Sequence, residues 1–374
     1  MNIDDLLLEL FIKGISVKGE CNRYLDLRNE KLERFKRFDF YLNEFRYSTY
    51  MEEEDLTPFS YIDGELFYYS DILKNIDIKR IEDVEWGSES TWYIKTWNNL
   101  ERSPYELRLN PINICANLRF VTGENGEFRG CAFCHRVYAH GRSAENRKIE
   151  TIHDIFNDIF LQEGEDILNR IKKVLIMTGN MKKPEDLLTL CHETYSILMK
   201  KQYKGVFSIS TNQICAEESI KELASIDNTI FDYTLETFER RSCLMGKQKG
   251  YSMDKVINTL KCARKYFRYI RINYVVGLDS YDGLESGFVQ LKKLGLIDDV
   301  IPLIFVPYTP EMKKLRNKEA TEISYYKRAK LFFKSENLVP QKNGLTKNLF
   351  QEDRLNNRKM DDLMETSYEK SSLD

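Results

Sequence analysis

The sequence predicts an α/β protein built on a parallel β-sheet, and two observations support this prediction. From about residue 113 onward, short apolar runs alternate with helical segments. These apolar runs, such as 174–177, lack the strict two-residue alternation of a half-exposed strand, as is typical of strands buried on both faces. Alternating strands and helices imply right-handed crossovers and a parallel sheet. Six strand–helix units form either a partial barrel or an open, doubly wound sheet.

The elements of this repeat are predicted in order from apolar periodicity and turn residues. The strands are expected at 113–118, 174–177, 205–210, 229–235, 269–276 and 300–306. The helices are expected at 144–173, 184–200, 216–225, 254–266, 284–294 and 322–333.

Three regions are predicted along the chain. Residues 1–105 form an N-terminal α+β extension, with an amphipathic helix at 4–13, an aromatic-rich stretch at 38–50 and a hairpin closed by Asp63-Gly64. Such an aromatic stretch is more often a packed cap than a ligand cage. Residues 106–340 form the repeat, and 341–374 form a polar tail.

The amino-acid composition and the net charge indicate which class of protein this is. The 374 residues are 42% hydrophobic and 31% charged, which is typical of a soluble globular protein. A net charge of −3 gives no electrostatic reason to expect nucleic acid or an anionic membrane as partner. No apolar run approaches a membrane span, and the N-terminus lacks a basic signal-peptide start, so a cytoplasmic location with reduced cysteines is expected.

The segment around Cys131-Ala132-Phe133-Cys134 is the strongest chemical motif. Two intervening residues are the usual separation of two thiolates on one metal centre. A turn at Asn125-Gly126 would return the chain and bring Cys115 towards the pair. Three thiolates without a fourth favour an iron–sulfur cluster with one open iron. Two alternatives stay open: a structural zinc site completed by Cys115, His135 or His140, and an ordinary barrel enzyme whose cysteine loop has no metal role.

Polar residues follow the predicted strands, where the chemistry of such sheets gathers. Glu236 and a nearby arginine have charges that suit the ammonium and carboxylate groups of an amino acid. Helix caps and turns are the alternative interpretation of the polar residues. The candidates after the second to sixth strands are Thr178, Gly179, Asn180, Asn212, Glu236, Arg240, Arg241, Gly277 and Pro307.

These residues resemble the radical S-adenosylmethionine (SAM) superfamily over about three-fifths of the chain. Its signature places three cysteines in the loop after the first strand of a partial barrel and ends Cys-x-aromatic-Cys, as Cys131–Cys134 does. The segment at Leu235-Glu236-Thr237 is similar to that of biotin-synthase-like members. Fifteen residues lie between the first two cysteines here, a longer spacing than usual that a hairpin insertion explains.

The resemblance implies a partial (β/α)6 TIM-type barrel. It implies that Cys115, Cys131 and Cys134 hold a [4Fe-4S] cluster, and that SAM occupies the open iron. Phe133 would lie near the adenine, and the strand-end candidates would bind SAM. The implied enzyme makes a 5′-deoxyadenosyl radical that takes hydrogen from a small molecule, or from a peptide, in cofactor or natural-product biosynthesis. An electron donor such as flavodoxin or ferredoxin would be its partner.

Overall fold

The chain forms strands and helices in alternation after an N-terminal region of smaller sheets. The computed structural model describes residues 3–18, 37–42, 45–69, 71–73, 78–80, 106–109, 131–134, 151–177, 179–181, 183–245 and 252–339. The helices are α1 (Ile3–Lys13), α2 (Ile152–Glu163), α3 (Ile167–Arg170), α4 (Pro184–Lys200), α5 (Glu217–Ala224), α6 (Arg241–Leu244), α7 (Met253–Tyr266), α8 (Tyr281–Lys293), α9 (Pro310–Lys313) and α10 (Ile323–Ser335). The strands are β1 (Ser16–Lys18), β2 (Arg37–Leu42), β3 (Phe45–Tyr50), β4 (Phe59–Ile62), β5 (Glu65–Tyr68), β6 (Asp71–Ile72), β7 (Ile78–Arg80), β8 (Glu106–Leu109), β9 (Lys173–Met177), β10 (Val206–Thr211), β11 (Thr229–Glu236), β12 (Ile270–Val276) and β13 (Asp299–Ile304).

The central sheet has six strands in the order β13-β12-β11-β10-β9-β8. Every pairing in it is parallel. Because the order follows the sequence without reversing, the sheet has no switch point of the doubly wound kind. The sheet is curled into a half-barrel, which confirms the predicted partial barrel.

Two predicted elements differ from the structure. The first strand of the sheet is β8, which pairs with β9 and comes earlier than the expected strand at 113–118; that segment lies outside the described residues. The long helix expected at 144–173 is wrong as one element. α2 ends at Gly164, whose φ of 85° is a left-handed conformation that stops a helix, and Lys173 already belongs to β9. No described helix is both long and apolar enough to cross a membrane.

The outer face of the sheet packs against the helices through aromatic side chains. The rings of Phe231 on β11 and Phe267 after α7 stack with their centroids 5.1 Å apart. Tyr274 on β12 meets Phe288 on α8 edge-to-face at 4.9 Å. This apolar contact holds the sheet against its helical layer, because the hydrophobic effect favours the removal of large aromatic surfaces from water.

The inner face carries a buried ionic layer near the amino ends of the strands. Asp232 is fully buried and accepts a hydrogen bond of 2.6 Å from Ser208 Oγ. Its carboxylate lies 3.7 Å from Lys173 Nζ and 3.9 Å from Arg271 Nε. Arg271 also pairs with Asp299 at 2.7 Å. Opposite charges on β9, β11, β12 and β13 compensate one another here, which is the condition for burying charge.

Glu106 extends this ionic layer to the edge strand and should make stability depend on acid pH. Burial would raise its pKa, but Arg108 and Lys173 outweigh burial and lower the pKa from 4.5 to about 2. A lowered folded-state pKa stabilises the protein above pH 4.5, and that stabilisation is lost as the pH falls towards about 2. In Glu106→Gln this contribution is absent. Urea unfolding at stepped pH should therefore show a difference between wild type and variant that shrinks below pH 4.5, and a pH-independent difference would contradict the assignment.

The N-terminal region contains the predicted amphipathic helix and hairpin. In α1, Leu6, Leu7, Leu10 and Phe11 are all buried, as the periodicity predicts. β4 and β5 form the antiparallel hairpin, and both turn residues have positive φ, as a two-residue turn requires: 48° at Asp63 and 94° at Gly64.

The aromatic-rich stretch forms packing surface. Phe38, Phe40, Tyr47 and Tyr50 of β2 and β3 are buried, which confirms the interpretation as a packed element. Arg316 connects this region to the barrel: its guanidinium donates to the Ile12 carbonyl at 2.7 Å and to the Phe11 carbonyl at 3.0 Å, at the end of α1. The boundary at residue 105 between the N-terminal extension and the strand–helix repeat stays a prediction. The tail at 341–374 lies outside the described residues.

Candidate active site

The cysteine segment forms a short turn that is held against the helix after β11. The Cys134 amide donates to the Cys131 carbonyl at 3.0 Å, and the Ala132 amide donates to the Leu244 carbonyl at 2.8 Å. Cys131 is buried and Cys134 is half-buried, and neither forms a disulfide within the described part of the chain. The backbone of the turn is therefore fixed at the end of α6.

Phe133 places the same turn beside the carboxyl ends of the last two strands. Its ring packs against a small apolar cluster, separate from the main core, made of Leu244, Val275, Leu278, Phe305 and Met312. Val275 is near the end of β12, and Phe305 directly follows β13. The motif thus lies at the edge of the sheet where the sequence predicts chemistry.

The end of β11 has an irregular backbone around Glu236. The register between β11 and β12 shifts between Thr234 and Glu236, which is a β-bulge. Glu236 itself has φ of 71°, and Arg240 has φ of 49°. Residues other than glycine rarely adopt these angles, and strain of this kind concentrates at ligand sites. The bulge turns the end of β11 away from a regular strand direction.

Both predicted arginines bind backbone carbonyls. Arg241 Nη1 donates to the Leu235 carbonyl at 2.7 Å and to the Thr237 carbonyl. Arg240 Nη2 donates to the Leu315 carbonyl at 2.9 Å and to the Leu278 carbonyl. The guanidinium groups therefore stabilise the turn after β11, and a ligand-binding role for either one stays a prediction.

Arg241 lies in a buried electrostatic environment that includes the cysteine turn. Burial lowers its pKa, and Glu236 and Cys131 are among the groups that oppose this shift. The carboxylate of Glu236 and the thiol of Cys131 are thus each close enough to the guanidinium of Arg241 to influence its pKa. A shared ligand site for these three predicted residues stays a prediction.

The loops after β9 and β10 are joined by Gln213, a residue the sequence does not single out as a ligand. Its side-chain oxygen accepts from the Met181 amide at 3.0 Å, and its side-chain nitrogen donates to the Met181 carbonyl at 2.8 Å. This pair of bonds fixes the loop that carries Gly179 and Asn180, and Asn180 is buried. The loop positions of both predicted residues therefore depend on Gln213.

Asn212 is the unusual side chain of this edge. It is 1% exposed, yet neither its amide nitrogen nor its oxygen has a hydrogen-bond partner among the described residues. A buried polar group without a partner is costly, and native proteins retain few of them without a reason. A ligand at this edge of the sheet would supply the reason.

Gly277 and Pro307 complete the edge at β12 and β13. Gly277 has φ of 110°, and a β-carbon there would lie 2.8 Å from the Tyr326 hydroxyl oxygen, so both backbone conformation and space require glycine. Pro307 is buried, and the next residue, Tyr308, packs against the same apolar cluster as Phe133.

Several predicted site residues lie outside the described part of the chain: Cys115, Thr178, His135 and His140. Within the described residues, no three histidine, cysteine or acidic side chains converge as a metal site. Asp279 follows a predicted strand directly, but the sequence assigned it no site role; in the structure it joins the turns after β11 and β12.

No protein-family model and no curated protein sequence matches the chain. Among solved structures, the chain is similar to Streptococcus suis SuiB bound to S-adenosylmethionine, with 21% identity over 60% of this chain and 47% of SuiB, at a TM-score of 0.39. It is similar to the radical SAM enzyme HemN (coproporphyrinogen III oxidase) from Escherichia coli, with 11% identity over 63% of this chain and 54% of HemN, at a TM-score of 0.40. It is also similar to the FeFe-hydrogenase maturase HydG from Carboxydothermus hydrogenoformans, with 13% identity over 74% of this chain and 62% of HydG, at a TM-score of 0.46. The chain spans about half the length of SuiB and HemN.

Proposed function

We propose that this chain is a radical SAM enzyme that reductively cleaves S-adenosylmethionine at a [4Fe-4S] cluster held by Cys115, Cys131 and Cys134. The observation that carries the proposal is the position of the Cys131–Cys134 turn. It is fixed at the carboxyl edge of a six-stranded parallel half-barrel, where Cys131 and the strained residue Glu236 both lie close enough to Arg241 to influence its pKa.

The described residues fit the two cofactors chemically. Thiolates are the protein ligands of iron–sulfur clusters, and the two-residue spacing of Cys131 and Cys134 suits one cluster. Asn212 has a buried donor and a buried acceptor without described partners, and Glu236 offers a carboxylate. Together these groups suit a ligand such as SAM, which has an amino group, a carboxylate, hydroxyls and a nucleobase.

Each residue has a role in this proposal. When bound, the cluster and SAM together supply a 5′-deoxyadenosyl radical that abstracts hydrogen from a substrate carbon. Cys131 and Cys134 hold iron, and Phe133 excludes water from the adenine side. Glu236 and Asn212 orient SAM by hydrogen bonds. The remaining strand-end residues form the walls of the SAM site: Thr178, Gly179, Asn180, Arg240, Arg241, Gly277 and Pro307.

The finer functional statements are proposals of the same kind. The substrate is a small molecule or a peptide, modified in cofactor or natural-product biosynthesis. Flavodoxin or ferredoxin supplies the electron, and the enzyme works in the cytoplasm.

The deciding experiment is anaerobic reconstitution with iron and sulfide, followed by SAM and a strong reductant. The proposed function requires a brown protein that forms 5′-deoxyadenosine. Tightly bound zinc, with no cluster and no cleavage, would favour a structural metal site instead. A cluster-loaded protein that fails to bind SAM in equilibrium dialysis would reject the proposal even if an unknown substrate is required for cleavage.

Asn212→Ala should separate ligand binding from stability. Because the amide has no partner among the described residues, its removal deletes no described hydrogen bond, and the free energy of unfolding should change by less than about 1 kcal/mol. SAM affinity should fall about tenfold, because the loss of one buried hydrogen-bonding group costs about 1.4 kcal/mol.

Dialysis with labelled SAM and urea unfolding measure these two effects. Ser208→Ala is the matched control: it alters a buried polar residue earlier on the same strand, β10, whose hydroxyl donates to Asp232 at 2.6 Å. The control should lose stability and keep its SAM affinity. The reverse pattern, in which Asn212→Ala unfolds easily and binds SAM normally, would assign Asn212 a purely structural role.

A further inference from the structure

Asp279 stands at the centre of a buried hydrogen-bond network between the ends of β11 and β12. The residue is fully buried. One carboxylate oxygen accepts from the Phe238 amide at 2.7 Å and the Tyr274 hydroxyl at 2.7 Å. The other accepts from the Glu239 amide at 2.9 Å and from the Thr237 hydroxyl. Four donors from one turn and one strand therefore converge on a single carboxylate.

A second carboxylate crosses in the opposite direction. Glu239 accepts from the Ser280 amide at 2.8 Å and from the Ser280 hydroxyl at 3.0 Å. Ser280 in turn caps α8, since its hydroxyl oxygen accepts from the Gly283 amide at 3.0 Å. The turns after β11 and β12 are thus joined by two carboxylates, Asp279 and Glu239, each of which accepts hydrogen bonds from the other turn. We call this pair of contacts the carboxylate lock.

The carboxylate lock adjoins the candidate SAM site. The turn that Asp279 binds, Thr237 to Glu239, lies between Glu236 and the two arginines. Arg241 donates to the Thr237 carbonyl, so the guanidinium and the carboxylate hold opposite sides of the same residue. A shift of this turn would move Glu236 and Arg241 together.

A neutral side chain would suffice for a purely structural connection. At the adjoining strand ends, Gln213 joins two loops with an uncharged amide. Burying a carboxylate is more costly than burying an amide, but charged acceptors hold amide donors about twice as strongly. The carboxylate lock occurs at the turn where Glu236 and Arg240 have left-handed backbone angles. A strained backbone needs the stronger hydrogen bonds that a carboxylate accepts.

We propose that Asp279 is a positioning residue for SAM binding: its carboxylate holds the turn at Thr237–Glu239 so that Glu236 and Arg241 keep their places in the site. This inference rests on the proposed function, and it adds a residue that contacts neither cofactor.

Asp279→Asn tests the inference with nearly unchanged volume. Asparagine keeps one acceptor oxygen but turns an NH₂ group towards donors, so at least one amide of the turn loses its partner. We expect the KM for SAM in the 5′-deoxyadenosine assay to rise about tenfold with a much smaller change in kcat. Amide hydrogen exchange at Phe238 and Glu239 should accelerate, while exchange in β9 and β10 stays at the wild-type rate.

Tyr325→Phe is the matched control. Its hydroxyl donates to the main-chain carbonyl of Asp279 at 3.0 Å and makes no contact with the carboxylate described here. This variant perturbs the same buried region without changing the carboxylate lock, so KM for SAM should stay within about twofold of wild type. If Asp279→Asn does not fold, Thr237→Val removes one of the four donors and should raise KM and amide exchange by smaller factors.

The outcomes are distinct. Faster exchange in the turn together with a raised KM supports the positioning role. Faster exchange with an unchanged KM overturns it, and so does an equal rise of KM in the Tyr325→Phe control. A wild-type protein that neither binds nor cleaves SAM rejects the proposed function, and the inference with it; that failure is seen before any variant is made.

Discussion

Replacing Cys131 or Cys134 by alanine is expected to abolish both cluster iron and the formation of 5′-deoxyadenosine. The two thiolates belong to one short turn, and a cluster that keeps only two of three protein ligands is not retained in a SAM-reactive form. Iron and sulfide analysis, visible absorption and the 5′-deoxyadenosine assay measure the effect. The expected loss of activity is at least a thousandfold, because in the proposed reaction only the cluster passes the electron to SAM.

Cys262→Ala is the control for this pair of variants. Cys262 lies on α7, among the helices that cover the sheet, and should keep full iron content and activity. Iron content that is unaffected in Cys131→Ala and Cys134→Ala would reject these two ligands. Cys115→Ala tests the third ligand separately: a SAM-reactive cluster in that variant would show that another residue completes the site.

Asp232→Asn is expected to cause the largest loss of stability among single conservative changes of the barrel. The substitution keeps the shape of the side chain but removes a buried negative charge that lies between Lys173 and Arg271. Both cations then remain buried with one carboxylate partner fewer. Breaking a buried ion pair from one side costs about 3 kcal/mol, which urea unfolding at neutral pH should show as a lower midpoint with an unchanged slope.

A surface pair provides the control for this prediction. Glu217→Gln removes a carboxylate that pairs with Lys265 at 3.0 Å on exposed helices, and it should leave the unfolding midpoint within experimental error of wild type. If Asp232→Asn is as stable as that control, the inner-face charges are solvated, and the ionic layer does not hold the strands together.

Much of the barrel could be predicted from local patterns. The helix expected at 184–200 is α4 to the residue, and the strand at 229–235 is β11 with one further residue. These elements are long, and their apolar periodicity is unambiguous. The sequence did not predict β8, because this strand has only four residues and its charged inner-face side chains, Glu106 and Arg108, give it little apolar signal.

The candidate site was predicted residue by residue but not as an arrangement. Glu236 and the arginines were singled out as opposite charges for one ligand, whereas the structure gives donors of both arginines to backbone carbonyls. Whether a guanidinium faces a ligand or a carbonyl depends on the bulge in β11 and the left-handed angle at Arg240, and neither is encoded in a residue spacing.

The sequence by itself determined the parallel sheet, its helical cover and the edge where polar residues gather, because each follows from short-range periodicity and from the short apolar runs of buried strands. It also identified the Cys-Ala-Phe-Cys turn, since two thiolates on one metal require close spacing along the chain. Only the tertiary structure decided that Asp279, Glu239 and Gln213 join the turns of the site, and that Asn212 is buried without a described partner. These relations connect residues up to 42 positions apart, as in the bond from Thr237 to Asp279. They depend on how neighbouring strand ends meet in space, which a local pattern does not specify.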